Sequence, residues 1–193
     1  MDKNYWNSRY ENQETGWDIG NISTPLKEYA DQLIKKDIAI LIPGCGNAYE
    51  AAYLLQQGFT NIMLVDIAPA AIAAVRKRLS EWEGHQLRII EGDFFELDEK
   101  FDLILEQTFF CALAPTLRKA YTDKMFDLLN DGGKVVGLLF NRNFEGGPPF
   151  GGNKEEYMQL FRSKFSIQLM EDATNSIAPR AGSELFFILT KNA

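Results

Sequence analysis

Short apolar runs alternate with longer stretches of helical periodicity along this chain. The runs are rich in Ile, Leu and Val, which is typical of strands buried on both faces. They predict strands at Ile38–Ile42, Ile62–Asp66, Gln86–Ile90, Phe101–Glu106 and Lys134–Asn141. Helical patterns lie between them at Ala48–Gln57, Pro69–Glu83 and Pro115–Leu129. This alternation predicts an α/β fold of the Rossmann-like kind, a mostly parallel sheet with helices on both faces.

The two ends of the chain extend this pattern. A helix is predicted at Thr24–Lys36 behind an N-terminal arm, and another at Asn153–Ser163. Two further strands, Phe165–Glu171 and Glu184–Thr190, predict a hairpin at the sheet edge and bring the sheet to seven strands. Because 193 residues suit one core and no linker is visible, we expect a single domain over residues 1–193. Residues 1–36 form its arm and first helix.

Composition narrows the classes of partner. The net charge is −7, and no sustained basic run offsets it, which argues against nucleic acid and anionic membranes. No segment is apolar enough for a signal peptide or a membrane span, so we expect a cytoplasmic protein, working as a monomer. Cys45 and Cys111 do not form a disulfide framework, and His85 stands among polar residues, so no metal site is expected.

The segment IAILIPGCGNAYE, residues 38–50, predicts a buried strand, a glycine turn and a helix start. Gly44 and Gly46 let the backbone approach a ligand, and Asp66, twenty residues on, suits a ribose hydroxyl. Tyr49 occupies the position of the third glycine of a dinucleotide fingerprint, and no P-loop sequence follows. A nucleoside cofactor without phosphates remains, and S-adenosylmethionine fits. The alternative is an ordinary strand-to-helix turn.

Ligands of open α/β sheets bind at the carboxyl ends of the strands. We therefore place the site just after each strand, at Pro43–Gly46 (Pro43, Gly44, Cys45, Gly46), Asp66 and Ile67, Gly92–Phe94, Glu106–Thr108 and Asn141 onward. Asp93 suits an adenine amino group and Phe94 an adenine ring. A simple helix or turn cap is the other interpretation of Asp93.

Three further features could serve an acceptor site. Trp6, Tyr10 and Trp17 crowd the arm and either anchor it to the core or form a lid that excludes water. Phe109–Leu113 is apolar and lies beside the expected pocket, where Cys111 is a small buried hydrophobe rather than a nucleophile. The segment Gly146–Gly152 is expected to form a wall over the site.

Two arginines could hold an anionic nucleophile or stabilise a thiolate. Arg118 opens the helix after the fourth strand, and Arg180 lies in the loop of the last hairpin. From their spacing alone, solvated surface arginines are the alternative for both residues.

The chain resembles the thiopurine S-methyltransferase family, and within it the plant and microbial thiol/halide methyltransferases. The resemblance runs from about Trp6 to the end of the chain. It rests on Trp6–Tyr10 (WNSRY), Thr15–Asp18 (TGWD), Thr24–Leu26 (TPL), Leu41–Asn47 (LIPGCGN), Val65–Ile67 (VDI), Glu91–Phe95 (EGDFF), Phe101–Glu106 (FDLILE), Phe109–Arg118 (FFCALAPTLR), Leu129–Gly133 (LNDGG), Gly146–Phe150 (GGPPF) and Ala178–Arg180 (APR).

The resemblance implies a class I methyltransferase fold whose last strand is antiparallel, with S-adenosylmethionine as cofactor. It implies cofactor contacts at Trp6, Tyr10, Trp17, Gly44, Asp66, Asp93 and Phe94, and substrate contacts at Trp17, Arg118 and Arg180. Tyr10 stands where mammalian thiopurine enzymes commonly have Trp, and Asp66 where they have Glu. Phe109–Cys111 follows the thiol/halide branch, which favours a small acceptor over a thiopurine.

We therefore predict a methyltransferase that acts by in-line displacement on a small soft nucleophile: a thiol or hydrosulfide, a halide or thiocyanate. Thiolates form readily near neutral pH, so this chemistry needs proximity and dehydration more than a general base. The alternatives are an aromatic thiol acceptor of the thiopurine kind, an N- or O-methyltransferase and a module that binds the cofactor without catalysis. Glu106–Thr108 stands where amino methyltransferases carry an Asn/Asp-Pro-Pro-aromatic motif.

Overall fold

The computed structural model describes residues 1–192, and its centre is one seven-stranded sheet. The strands are β1 (Ile40–Pro43), β2 (Ile62–Asp66), β3 (Leu87–Glu91), β4 (Phe101–Gln107), β5 (Leu129–Phe140), β6 (Ser166–Asp172) and β7 (Glu184–Thr190). The helices are α1 (Lys3–Glu11), α2 (Thr24–Asp31), α3 (Tyr49–Gln56), α4 (Pro69–Arg78), α5 (Arg118–Asp127) and α6 (Lys154–Phe161).

The strand order is β3-β2-β1-β4-β5-β7-β6. The first five strands run parallel, whereas β7 runs antiparallel to both β5 and β6. The chain therefore runs outward from β1 through β2 to β3, and then crosses back to place β4 on the opposite side of β1. This reversal opens a crevice at the carboxyl ends of β1 and β4, which is where open α/β sheets bind ligands.

Alternation along the central strands builds a core on each face of the sheet. Ile40 and Ile42 of β1 pack on one face with α2, α3 and α4. Leu41 points to the opposite face, which α5 and α6 cover. Strands β1 and β2 are buried on both faces, and this explains why their sequences are continuous apolar runs.

The predicted fold class, the parallel sheet and the antiparallel last strand are confirmed. Several boundaries differ. The predicted turn Asp131–Gly133 lies inside β5, where Gly132 adopts a φ of +76° and the register with β4 shifts. The helix predicted from Pro115 begins as a 3₁₀ turn, Pro115–Leu117, and α5 proper starts at Arg118. Helix α2 ends at Asp31, before the polar segment 35–37 that offers no apolar face.

The N-terminal arm contains a helix that the sequence pattern did not delimit. Helix α1 buries no residue completely and has little amphipathic character, which is why periodicity missed it. Asp2 caps it by accepting a hydrogen bond from the Tyr5 amide at 2.9 Å. None of the helices in residues 1–192 has both the length and the apolar character that crossing a membrane demands.

Candidate active site

A cavity of about 760 Å³ lies at the carboxyl ends of β1, β2 and β4. Three parts of the molecule enclose it. One is the strand-end wall, which we define as Gly44–Asn47, Asp66–Ile67 and Gly92–Phe94. The second is the loop wall, formed by the segments Phe109–Leu113, Phe140–Phe144, Pro148–Pro149 and Pro179–Ser183. The third is the N-terminal arm.

The glycine turn of the strand-end wall leaves no room for side chains. Gly44 has a φ of +56°, and a Cβ there would collide with the ring of Phe109. Gly46 has a φ of +49°, and its Cβ would lie 2.8 Å from the hydroxyl oxygen of Tyr10. Both positions combine a left-handed backbone with a close neighbour, so each requires glycine.

Asp66 ties this turn to the end of β2. One carboxylate oxygen accepts a hydrogen bond from the Gly46 amide at 2.9 Å, and the other accepts from the Ala68 amide at 2.9 Å. Asp66 is 8% exposed, and burial raises the pKa of its carboxyl. Each oxygen keeps a second lone pair, so the carboxylate can still accept a ligand hydroxyl from the cavity.

Asp93 and Phe94 complete the strand-end wall after β3. The Asp93 side chain accepts from the Phe95 amide at 2.9 Å and caps the 3₁₀ turn Phe94–Glu96. The cap role considered from the sequence is therefore real, and Asp93 still lines the cavity. Phe94 is buried with its ring 5.1 Å from that of Phe109, edge to face. This pair joins the strand-end wall to the loop wall.

The arm places three aromatic side chains against the cavity. Trp17 contacts both Trp6 and Tyr10 edge to face, with ring centroids 5.6 and 5.8 Å apart. Burial and the nearby Asp66 raise the pKa of Tyr10 above its usual value, so its hydroxyl stays protonated. The position of the three aromatic side chains is compatible with both roles considered from the sequence, anchoring the arm to the core and forming a lid over the cavity.

Polar contacts fasten the arm to the body. Asn7 accepts a hydrogen bond from the Ala70 amide, at the start of α4, at 2.8 Å. Asp18 accepts from the side chains of Asn47 and Tyr49, on the strand-end wall and in the first turn of α3. Tyr49, which replaces the third glycine of a dinucleotide motif, thus serves to hold the arm.

Arg180 is the buried cation of the loop wall, at 7% exposure. Its guanidinium pairs with Glu184 at 3.2 Å and donates to the carbonyl of Trp17 at 2.7 Å. It also lies 5.6 Å from the centroid of the Phe140 ring. Arg180 therefore fixes the junction between arm, loop wall and β7, and it lines the cavity as the sequence predicted.

Cys111 also lines the loop wall. Burial raises the pKa of its thiol to about 12, and the thiol donates to the carbonyl of Thr108 at 3.4 Å. A neutral, buried thiol is a poor nucleophile, which agrees with its interpretation as a small apolar residue.

The structure brings most of the predicted site residues together around the cavity, but three lie elsewhere. Those at the cavity are Trp6, Tyr10, Trp17, Gly44, Cys45, Gly46, Asp66, Ile67, Asp93, Phe94 and Arg180. Pro43, Glu106 and Arg118 do not line it. Pro43 is the last residue of β1 and is paired in the sheet with Val65.

Glu106 is fully buried behind the loop wall, so its side chain does not reach the cavity. Its carboxylate accepts from the amides of Phe109 and Phe110 at 2.8 and 3.0 Å, and from the Tyr121 hydroxyl at 2.7 Å. Burial raises the pKa of this carboxyl to about 7. Glu106 thus positions Phe109, which the strand-end rule alone could not reveal.

Arg118 belongs to the packing between α5 and α6 and not to the cavity. Its guanidinium donates to the carbonyl of Gly151 at 2.6 Å and lies 3.8 Å from Glu156. It also stacks 4.9 Å from the ring centroid of Phe110. The substrate contact at Arg118 therefore stays a prediction, and the position of the guanidinium behind the wall does not support it.

Two polar residues at the cavity, Gln107 and Arg142, fall in segments expected there, but no role was assigned to either from the sequence. Gln107 has a buried Oε1 atom that no donor in residues 1–192 reaches. Arg142 lies at the exposed end of the loop wall, 4.7 Å from the ring centroid of Phe144. The available signal was their position, Gln107 at the end of β4 and Arg142 just after β5, since the carboxyl ends of parallel strands meet at this edge.

These features fit a nucleoside cofactor with a charged amino-acid end. The cavity offers carboxylate acceptors at Asp66 and Asp93, aromatic faces on the arm, and an unsatisfied acceptor at Gln107. Gly44 and Gly46 carry no side chains that would obstruct a ligand at the switch point. Sheet order, antiparallel β7 and this site define a class I S-adenosylmethionine-dependent methyltransferase.

Comparison with known proteins agrees. Burkholderia thailandensis 1,6-didemethyltoxoflavin-N1-methyltransferase, solved with S-adenosylhomocysteine, has the same fold, with a TM-score of 0.78, 20% identity and coverage of 99% of this chain and 87% of that one. Magnesium protoporphyrin IX methyltransferase from Synechocystis gives a TM-score of 0.76 at 12% identity, covering 98% and 97% of the two chains. The family model described as thiopurine S-methyltransferase (TPMT) matches residues 1–187 of this chain. The chain belongs to the thiopurine S-methyltransferase family.

Individual relatives come from both branches of that family. A probable thiol methyltransferase 2 of Arabidopsis thaliana is 29% identical over 184 residues, covering 93% of this chain and 81% of that protein. Thiocyanate methyltransferase 1 of Brassica oleracea is 27% identical, with the same coverage of 93% and 81%. Thiopurine S-methyltransferase of Nitrosospira multiformis is 24% identical, covering 88% and 86%. The chain is an enzyme that carries out S-adenosylmethionine-dependent S-methylation.

Proposed function

We propose that the acceptor is a small soft nucleophile, in the first place a thiol or hydrosulfide, and in the second place a halide or thiocyanate. The observation that carries this proposal is the loop wall itself. It is apolar and aromatic, and its one buried cation, Arg180, faces the cavity. A large polarisable anion loses little by leaving water for such a surface, whereas a hard oxygen nucleophile would need a base.

The residues around the cavity support this chemistry without a general base. The chain's single histidine, His85, is exposed and does not line the cavity. A thiol with a pKa near 8.5 is a few per cent thiolate at pH 7, so removal of its proton needs little help. In this proposal Arg180 holds the thiolate by charge, and Trp17 positions the acceptor from the arm.

The methyl donor, S-adenosylmethionine, supplies a methyl group on a positively charged sulfur. We assign its binding to the strand-end wall (Gly44, Cys45, Gly46, Asp66, Ile67, Asp93 and Phe94) and to Trp6, Tyr10 and Trp17. In this assignment the Asp66 carboxylate accepts a hydrogen bond from a ribose hydroxyl, and the Asp93 carboxylate accepts one from the adenine amino group. Residues 1–36 act as the cover that keeps water from the reacting groups.

An aromatic thiol is the second candidate acceptor. Phe140, Phe144, Pro148 and Pro149 give the loop wall flat apolar surfaces on which a ring can pack. Some relatives are named for thiopurines and others for thiol or thiocyanate, so the comparisons leave both kinds of acceptor open. We further propose a monomer in the cytoplasm, which gel filtration and fractionation would check.

An acceptor panel tests the proposal. Purified protein with S-adenosylmethionine would be assayed against alkyl thiols, an aromatic thiol, bisulfide, iodide and thiocyanate, with an alcohol and an amine as controls. We expect turnover with thiols or bisulfide and none with the controls. Turnover of the amine or alcohol alone would overturn the soft-nucleophile proposal. Binding of S-adenosylhomocysteine with no product from any acceptor would indicate a non-catalytic module.

A further inference from the structure

Two arginines of the loop wall are linked by a pair of aromatic rings. The Arg180 guanidinium lies 5.6 Å from the centroid of Phe140, and the Arg142 guanidinium lies 4.7 Å from that of Phe144. The two rings contact each other edge to face, with centroids 5.0 Å apart. Arg180 is buried and Arg142 exposed, so the four side chains form one continuous strip from the depth of the cavity to its rim.

The two cations differ in what balances them. Arg180 is paired with Glu184, whereas no ion pair within residues 1–192 includes Arg142. The acidic residues that line the cavity lie on the arm, on the strand-end wall or in α3: Glu14, Asp18, Glu50, Asp66 and Asp93. The loop wall contributes no carboxylate in the part of the chain described, so none of its own residues pairs with the positive charge at its outer end.

The backbone at Arg142 is held in place. The Gly152 amide donates to the carbonyl of Arg142 at 3.0 Å, and a Cβ on Gly151 would collide with the same carbonyl. The Phe150 amide donates to the carbonyl of Cys111 at 2.7 Å, which joins this loop to the segment after β4. The loop base is therefore fixed to the wall, and Arg142 extends from it at the cavity rim.

We propose that Arg142 is a specificity-determining residue that binds an anionic group, such as a carboxylate, on a thiol acceptor. The acceptor's sulfur would lie deep, toward Arg180, and its apolar body would pack on Phe140 and Phe144. A guanidinium is suited to this because its planar fork matches a carboxylate. This inference rests on the proposed function and narrows it from thiols in general to thiols that carry a negative charge at the end remote from sulfur.

A matched pair of probes isolates that charge. 4-Mercaptobenzoate and 4-mercaptobenzamide have nearly the same shape and differ in the charge of the remote group. For the wild-type protein and Arg142→Gln we would measure kcat/KM for both probes, and take the ratio of the two values. We expect the wild type to prefer the carboxylate about fivefold, and Arg142→Gln to abolish the preference, because a rim ion pair contributes up to about that factor. Arg142→Lys should retain part of it.

Arg162→Gln is the control for a general charge effect. Arg162 is exposed at the end of α6, donates to the Met158 carbonyl at 3.1 Å and does not line the cavity. We expect its probe ratio to equal that of the wild type. Raised salt should lower the ratio in both of these proteins and leave that of Arg142→Gln unchanged. An unchanged ratio in Arg142→Gln, or an equal fall in Arg162→Gln, would overturn the proposal.

A binding measurement separates failure of this inference from failure of the proposed function. If the wild type methylates neither probe nor any thiol or bisulfide of the acceptor panel, the proposed acceptor class is wrong. Calorimetry of 4-mercaptobenzoate with the S-adenosylhomocysteine complex then still decides the role of Arg142. A dissociation constant about fivefold weaker in Arg142→Gln than in the wild type would support it, and equal constants would overturn it.

Discussion

The strand-end wall and the loop wall face the same cavity but are built in different ways. The strand-end wall consists of short segments directly after β1, β2 and β3, joined by hydrogen bonds such as Asp66 to Gly46. The loop wall gathers segments from Phe109 to Ser183, and joins them through rings and one buried ion pair. In the proposed function, recognition of the methyl donor is therefore carried by short motifs at strand ends. The proposed choice of acceptor depends on segments that only the fold brings together.

The largest expected effect follows from breaking the ion pair of the loop wall. Arg180→Met leaves the buried Glu184 carboxylate without its partner, which costs about 3–5 kcal/mol of unfolding free energy. We also expect methyl transfer to fall at least about a hundredfold, because the cavity loses its buried cation. Chemical denaturation and acceptor kinetics would measure the two effects.

A second variant separates these two roles. In the double variant Arg180→Met/Glu184→Gln no uncompensated charge remains, so most of the stability should return while activity stays low. Recovery of activity together with stability would mean that Arg180 acts only through the fold.

The next effect concerns the strand-end wall. Gly44→Ala places a Cβ against Phe109 in a left-handed backbone, and we expect a stability loss of about 3 kcal/mol. S-adenosylhomocysteine should bind at least about tenfold more weakly, as calorimetry would show. Gly58→Ala is the matched control, since Gly58 has a φ of +85° but nothing within 4 Å of its Cβ position. Equal losses in both variants would contradict the role assigned to the contact with Phe109.

Glu106 lies behind the junction of the two walls and predicts a dependence of stability on pH. Burial raises the pKa of its carboxyl from 4.5 to about 7, with Tyr121 and Cys111 as the titratable neighbours. A raised pKa means that the fold favours the protonated form. Unfolding free energy should therefore fall as pH rises from about 4.5 to about 7, by up to about 3 kcal/mol.

Glu106→Gln should remove this part of the pH dependence. The amide keeps an acceptor for the Phe109 and Phe110 amides and cannot ionise. Unfolding free energies of both proteins at pH 5 and pH 8 give the comparison. A difference between pH 5 and pH 8 that is as large in the variant as in the wild type would show that Glu106 is not responsible.

The sheet and the strand-end wall could be predicted from the sequence because both follow from local rules. Apolar runs define the strands, and the residue after each strand lies at the cavity, as Asp66 and Asp93 do. The same rule places Glu106 at the cavity, but its side chain lies behind the wall, where it accepts from two amides. A shift of one residue in the register of a strand turns its side chains to the other face of the sheet. A sequence pattern does not fix strand ends to within one residue, so it does not give the direction of this side chain.

The loop wall could be predicted from the sequence only in part. Phe109–Leu113 and the glycine-proline segment were expected near the site, and Leu113, Pro148 and Pro149 line the cavity. The sequence could not show that Arg142 and Arg180 line the cavity and Arg118 does not, because each of the three lies next to a strand or helix in a similar way. It depends on long-range partners, such as Trp17 for Arg180 and Gly151 for Arg118.

The smallest expected effect on catalysis is that of Arg118→Gln, which tests the boundary of the loop wall. Arg118 donates to the Gly151 carbonyl and stacks on Phe110, so its loss should cost about 1–2 kcal/mol of stability. The KM for a thiol acceptor should change less than about twofold, since the guanidinium does not line the cavity. A loss of kcat/KM as large as that of Arg180→Met, in a protein still folded by circular dichroism, would place Arg118 in the site. The loop wall would then extend behind Phe110, and Arg118 would act together with Arg180.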